Sequence, residues 1–398
     1  MTDGRKLKIL ALHSNTGSRF YRIIPQLKHM QKQGHEVQLE AHNSPNLPGL
    51  VAWADVVIFQ MVFSAELVRE VKAAGKTVFF ECDDLIHRTH AKHYSYEETK
   101  GLWKQARWLW RIWQVLRHCD GLIVSNENLK RVYGWMCKRT LVFGNYMELE
   151  HWLKEPKKNL SNRIRILWAG STSHTGDLHW VKPIIDAILK KYPHVQFIYM
   201  GHGGVPTKDL YARFVYGEDI FEGLDPDRRE SLLSAPPNVY PYILASLMAD
   251  IAIAPLEKNY FNKFKTQCKY LEYAINGIPG VYSKWFYTDV EDDLSHEPGI
   301  LSGYEARRAI ATIRGADVSQ VHPQATGLLA DSPDEWIEAI SLLVDNATLR
   351  AQIGERAREE VIEHYNFTDH APRWQGFVEM ISYESSHHTL PSSPQVRG

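Results

Sequence analysis

RIRILWAGSTSHTGDL, residues 163–178, decides how the chain is read. Five residues of an apolar run, Ile166 to Gly170, follow an alternating basic lead, and the run breaks into small polar residues. That is a buried strand ending in a loop, with helix-forming VKPIIDAILKKY after it and a second strand, VQFIYMG, after the helix. The amino-terminal LKILALHS (7–14) opens the same way and breaks into NTGSRF. RIIPQLKHMQKQGHEVQLEA then gives a helix, a glycine stop and another strand, and ADVVIFQ, KTVFFEC and DGLIVS continue the alternation. DIAIAPL and GVYS are later strands of the second half. Strands alternating with helices predict α/β structure with parallel sheets covered on both faces, and the echo between the halves predicts two Rossmann-like domains with a central cleft.

The polar link HWLKEPKKNLSNR separates the halves. Expected boundaries are 1–158 for the first domain and 159–365 for the second. Helices are expected at about 333–345 and 347–364, then a last helix at 366–384 able to pack back on the first domain. The Pro/Ser-rich tail 385–398 is expected to be disordered. A length of 398 residues suits two or three domains. With a net charge of −1, the molecule as a whole is no electrostatic match for nucleic acid, so such a role needs a local basic patch. Cys82, Cys119, Cys137 and Cys268 form no CxxC pair, which argues against a zinc or redox site and for free thiols in a reducing compartment. MTDGRKLKILAL lacks the apolar core of a signal peptide, and no stretch is long and apolar enough to span a bilayer; a cytoplasmic protein is expected.

Four stretches carry chemistry. In AGSTSHTGDL, Gly170 permits close approach to the backbone, and Ser171, Thr172, Ser173 and His174 supply small donors ahead of a helix. This reads as a phosphate or sugar loop, or as a simple tight turn. It is not a P-loop, because GK[ST] is missing, and Asn15–Arg19 in the first half is not GxGxxG, which disfavours a nicotinamide dehydrogenase. In FNKFKTQCKYLEYAINGIPGVYS (261–283), Asn262 is the expected N-cap, with Lys265, Lys269 and Glu272 at i, i+4 and i+7 on one helix face. A cation in the first turn opposes the helix dipole unless an anion sits there, so the lysines suit a diphosphate and Glu272 a ribose diol. The same spacing equally reads as a solvated face with a Lys–Glu pair worth about 0.3–0.5 kcal/mol.

In FFECDDLIHRTHAKH (79–93), Asp83 and Asp84 follow a buried strand, and His87, His90 and His93 lie close by. Spacings of three drift around a helix, so a shared metal is not expected, and one surface-exposed or cleft-lining histidine is. Asp225-Pro226-Asp227 is a formal DxD triplet in a polar loop, read as accidental. In KGLWKQARWLWRIWQVLRH (100–118), Lys100, Lys104, Arg107 and Arg111 form one stripe of a helix, and Leu102, Ala106, Leu109, Trp113 and Leu116 are expected to be its buried face. Its basic side is either solvated or a surface for an anionic membrane or a nucleic acid.

Taken in order, these pieces resemble a GT-B glycosyltransferase, most similar to family 4 of the retaining enzymes, over residues 7 to about 380. The second half carries most of the likeness: the 163–185 stretch, VQFIYMG, and NVYPYILASLMADIAIAPLEKNYFNKFKTQCKYLEYAINGIPGVYS. YRIIPQLKHMQKQGHEV, DGLIVSNENLKRVYG and VFGNYMELEHW resemble parts of the first half. The resemblance implies a nucleotide-sugar donor held mainly by the second domain. Glu272 matches the second Glu of the family's E-x7-E pattern; Phe264 stands where the first would be. Lys265 and Lys269 resemble the lysine pair of one branch, implied diphosphate ligands. Gly17, Gly170, Ser171, Ser173 and His174 are further implied donor contacts, and Asp83, Asp84 and His87 fall where catalytic groups are expected.

The resemblance thus implies a hexosyl- or pentosyltransferase acting with retention at the anomeric carbon, without a metal and with no cofactor beyond the donor. A glycan or lipid-linked precursor is the expected acceptor. A hydroxylated DNA base, as some bacteriophage enzymes modify, is the alternative, and a non-catalytic nucleotide-sugar-binding protein is another.

Overall fold

The computed structural model describes residues 6–14, 17–93, 95–201, 220–232, 234–288, 310–312 and 324–387. Asn15, Thr16 and the tail from residue 388 onward lie outside them, whereas 385–387 complete the last helix, Phe367–His387. The chain divides into two compact units. One comprises Met1–His87, Gly101–Tyr146 and Phe367–Gly398; the other comprises Arg88–Lys100 and Met147–Asn366.

The first unit is built on six strands: β1 (Lys8–His13), β2 (Glu36–Ala41), β3 (Val56–Gln60), β4 (Thr77–Cys82), β5 (Gly121–Val124) and β6 (Thr140–Val142). All pair in parallel, in the order β2-β1-β3-β4-β5-β6. Every residue of β3 and β5 is buried, and all but Gln60 lack a polar side chain, because helices cover both faces. Phe367, Ala371, Trp374, Val378 and Ile381 of the last helix share a core with Ile9, Ile58, Phe79 and Ile123 of the sheet. A buried ion pair sits at the carboxyl end of this sheet. Arg22, in the short helix Arg19–Arg22, donates from Nε to Glu81 Oε1 (2.6 Å). Its Nη1 reaches the carbonyl oxygens of Phe143 (2.5 Å) and Gly144 (2.9 Å) and Asn145 Oδ1 (3.1 Å). One guanidinium therefore ties the segment after β1, the end of β4 and the segment after β6 together.

The second unit holds β7 (Ile164–Ala169), β8 (Val195–Met200), β9 (Arg229–Leu232), β10 (Ile251–Ala254), β11 (Gly280–Ser283), β12 (Ile310–Thr312) and β13 (Gly327–Ala330). They too are all parallel, in the order β12-β13-β11-β10-β7-β8-β9. The chain leaves β7 toward β8 and β9 and then returns to β10 on the other side, so the order reverses between β7 and β10. Loops beyond the carboxyl ends at such a point diverge and leave room for a ligand. The helix Thr175–Lys191 packs Leu178, Val181 and Ile185 with Trp168, Phe197 and Trp336 in the core. Pro333–Asp345 begins with a capping box between Ser332 and Glu335, and Ala347–His364 is capped by Asn346.

Two expectations about helices are corrected. Residues 261–264 form a 3-10 turn, and the helix proper is Cys268–Ile275. Asn262 does not cap it, because its buried side-chain amide donates instead to Asp177 Oδ1 (3.1 Å) and to the Glu257 carbonyl (2.9 Å). Lys265 is extended, with φ −69° and ψ 164°, so only Lys269 and Glu272 share a helix face. The basic helix runs from Leu102 to Leu116 and buries Ile112, Val115 and Leu116; Leu102 and Ala106, expected inside, are exposed. The inward side instead carries Ile112, Val115 and Leu116, and on it the Trp108 ring meets Phe63 edge-on at 6.0 Å.

Candidate functional site

The site forms in the second unit where β7 and β8 end. Gly170 donates its N–H to the Met200 carbonyl (2.9 Å), and Gly201 closes β8 with φ +97°. A β-carbon on Gly201 would lie 2.0 Å from the Gly170 carbonyl oxygen, so only glycine lets the two strand ends touch. A β-carbon on Gly170 would meet the Trp168 ring at 2.7 Å and Lys269 Nζ at 2.8 Å. The loop after β7 thus brings bare backbone directly under an ammonium group.

The loop continues through Ser171 and Ser173, whose hydroxyls pair at 2.8 Å, to His174 just before the helix Thr175–Lys191. His174 Nδ1 lies 2.7 Å from Asp177 Oδ2. The other oxygen of Asp177 accepts the Glu257 N–H (2.6 Å) and the Asn262 amide. This buried carboxylate therefore locks the first turn of the helix to the loop after β10, across the reversal point of the sheet. Glu257 lies so close that a β-carbon on Gly176 would sit 2.6 Å from its Oε2.

Lys269 stands in the first turn of Cys268–Ile275, its Nζ 5.6 Å from the centre of the Trp168 ring. Burial lowers its pKa; Glu272 opposes the shift, and Lys265 adds to it. Lys265 and Lys269 thus place two cationic side chains in the same part of this unit, close enough to act on each other. Lys265 Nζ lies 4.6 Å from the Phe261 ring centre. Glu272 is buried and accepts a hydrogen bond from the Tyr240 hydroxyl (2.9 Å).

Segment Arg88–Lys100 adds two imidazoles to this unit. The rings of His90 and His93 lie 5.6 Å apart, and both pack on Phe261, at 5.6 and 4.9 Å. His93 Nδ1 accepts the Ser95 N–H (3.1 Å), which leaves the ring proton on Nε2 when neutral. Burial, with Lys265 adding to it, brings His93 down to about 3. Burial, against the pull of Asp177, brings His174 to about 4, and His90 is lowered also. All three imidazoles are neutral at pH 7.

The solved structures with related folds were identified by three-dimensional comparison. Sucrose-phosphate synthase from Thermosynechococcus elongatus superposes with a TM-score of 0.59 at 13% identity, covering 96% of this chain and 100% of that one. A glycosyltransferase from Rickettsia africae gives 0.59 at 12%, with coverages of 95% and 99%. The catalytic domain of starch synthase IV from Arabidopsis thaliana, bound to ADP and acarbose, gives 0.58 at 10%, with 96% and 100%. The fold is GT-B. No family model matches the sequence, and a search of curated proteins finds no match.

Within this GT-B chain, the second unit collects Gly170, Ser171, Ser173, His174, Lys265, Lys269 and Glu272 around the end of β7. Sequence reasoning missed Asp177, Glu257 and Gly201. Asp177 stood in the quoted loop as an acidic first-turn residue, a signal that a helix start was being built. The remaining candidates lie in the first unit. Gly17 has open space around it, and neighbouring Ser18 accepts from Gln60 Nε2 (3.3 Å). Asp83 accepts the Ser125 hydroxyl on its carbonyl (3.2 Å), and the Asp84 carboxylate accepts the Leu85 N–H (3.2 Å). His87 is buried, its Nδ1 3.0 Å from the Tyr133 hydroxyl. His87 thus belongs to one unit and His90 and His93 to the other. Asp225 caps its own turn and binds Arg228 (2.6 Å). Among the described residues, no group of three or more His, Cys, Asp or Glu is placed to hold a metal ion.

Proposed function

We propose that the protein is a glycosyltransferase that moves a sugar from a nucleotide-sugar donor to an acceptor hydroxyl. The observation that carries this reading is Lys269 Nζ lying over Gly170 at the reversal point of the second sheet. The donor diphosphate rests against Lys269 and Lys265, with the N–H groups after Gly170 as further donors. As the bond to the anomeric carbon breaks, negative charge grows on the leaving diphosphate, and fixed cations in a desolvated site stabilise it without reorganising. Ser171, Ser173 and His174 line the same loop, and Glu272 takes the ribose diol. Phe264, where the family's first glutamate would be, is buried against Tyr260. Glu257, beside the first turn of Thr175–Lys191, is the carboxylate we assign to the sugar hydroxyls instead.

Asp83, Asp84 and His87 stand beyond the carboxyl end of β4, the edge where a parallel sheet receives ligands, and are assigned to the catalytic and acceptor side together with Gly17. Retention, independence of metal, membership of family 4 and a glycan or lipid-linked acceptor are part of the same proposal. So is the cytoplasm, which suits four cysteines that form no disulfide. Phe264 also favours a second reading, a nucleotide-sugar-binding protein without turnover. Incubating the chain with radiolabelled nucleotide sugars separates the two: release of free or transferred sugar supports the transferase, and tight binding with no release supports the binder.

A further inference from the structure

We propose that the Leu102–Leu116 helix is a docking surface for an anionic lipid bilayer. The inference holds whether or not the second unit takes a nucleotide sugar. The helix has three faces. Ile112, Val115 and Leu116 are buried, and Trp108 anchors that side through Phe63, whose ring lies 5.1 Å from Phe80 of β4. Opposite them, Trp103, Ala106 and Trp110 follow i, i+3, i+7 spacing and face solvent, with Trp103 89% and Trp110 59% exposed. Leu102, at 85%, extends this apolar edge at the helix start. A third stripe, Lys104, Arg107 and Arg111, repeats the same spacing one residue further on and is exposed along its length. The aromatic and basic stripes therefore run side by side along a helix about 22 Å long.

A solvated surface helix carries mixed charge and few indoles, because exposed indole gains nothing from water. Residues 100–118 instead hold five cations and no carboxylate, in a chain whose net charge is −1. Charge complementarity selects an anionic surface, and the exposed tryptophans select one with an apolar interior under a polar boundary, where indole is most stable. Duplex DNA meets only the first condition, since its bases are stacked and offer the indoles no faces. No helix among the described residues is long and apolar enough to cross a membrane, and this one lies along the surface.

Flotation of the full chain with vesicles tests the proposal. The chain should float with vesicles of phosphatidylcholine and phosphatidylglycerol, stay behind with phosphatidylcholine alone, and lose binding as salt rises. Each Lys or Arg near an anionic surface is worth about fivefold in affinity, so Arg107→Glu with Arg111→Glu should weaken binding by about 25-fold or more. Trp103→Ala with Trp110→Ala should also weaken it, whereas Leu160→Glu, at an exposed site in the other unit, should not. Circular dichroism and melting should be unchanged in all three, as these side chains are exposed. Equal flotation with neutral vesicles, flotation with neither kind, or wild-type behaviour of the helix variants overturns the proposal. So does duplex DNA binding that depends on Arg107 and Arg111 in the absence of vesicle binding.

Discussion

Lys269 and Gly170 are coupled through space: the ammonium occupies a point 2.8 Å from where a β-carbon on residue 170 would be. The glycine makes room for the cation, and the cation gives the bare loop its charge. Lys269→Ala should therefore weaken binding of a nucleoside diphosphate by about 10- to 100-fold, the worth of one charged hydrogen bond. Calorimetric titration with UDP or ADP reads this directly, and unchanged affinity would remove the phosphate role. Gly170→Ala should lower affinity as well, by displacing the ammonium.

Gly201 and Gly17 make a contrasting pair. Gly201→Ala forces a side chain against the Gly170 carbonyl at a positive φ, and should destabilise the fold by about 3 kcal/mol. Gly17→Ala meets nothing within 4 Å and should change stability by less than about 0.5 kcal/mol. Urea midpoints of the two variants check both values.

The buried pair Arg22–Glu81 makes a pH-dependent contribution. Burial, partly offset by Arg22, raises Glu81 to about 7 from 4.5. The folded state thus holds a proton that the unfolded state has released, and this contribution to stability falls as pH rises from about 4.5 to 7. Glu81→Gln should flatten that slope in melting curves taken across the window. Arg22→Met, which strands the acid, should cost about 3–5 kcal/mol while Glu81 is ionised.

The histidines act in the opposite sense. His93 at about 3 and His174 at about 4 are neutral in the fold, where the unfolded chain would protonate them below about 6.5. Their contribution is complete above that value and is lost as pH falls toward 4. His174→Gln should reduce acid sensitivity in chemical denaturation between pH 4 and 6.5, compared with the unsubstituted chain. Diphosphate affinity should be flat between pH 6 and 8 as far as these rings are concerned.

Residue order alone determined the parallel α/β architecture. β1, β3, β4, β7 and β8 are short, mostly apolar runs, as strands buried on both faces are, and buried exceptions such as Gln60 and Glu81 have hydrogen-bond partners. The helix starts at Ser332 and Asn346 were equally readable, since a cap acts within four residues. Local rules failed where the partner was distant. Asn262 looks like a cap, but its amide is claimed by Asp177, 85 positions away in the chain, and the helix begins six residues later. Leu102 and Ala106 fit a buried stripe by spacing, yet the helix buries Ile112, Val115 and Leu116 and leaves both exposed, an orientation set by packing against the rest of the unit. β9, β12 and β13 were not read from the sequence, and each is placed in the sheet by parallel pairing with a neighbouring strand. The lysines and the serine loop were visible as candidates; their meeting under one ammonium required two strand ends to close on glycine. Spacing along a chain encodes only contacts within a turn or a pleat, and a site assembled from β7, β10 and the Cys268–Ile275 helix exists only once the sheet has set their order.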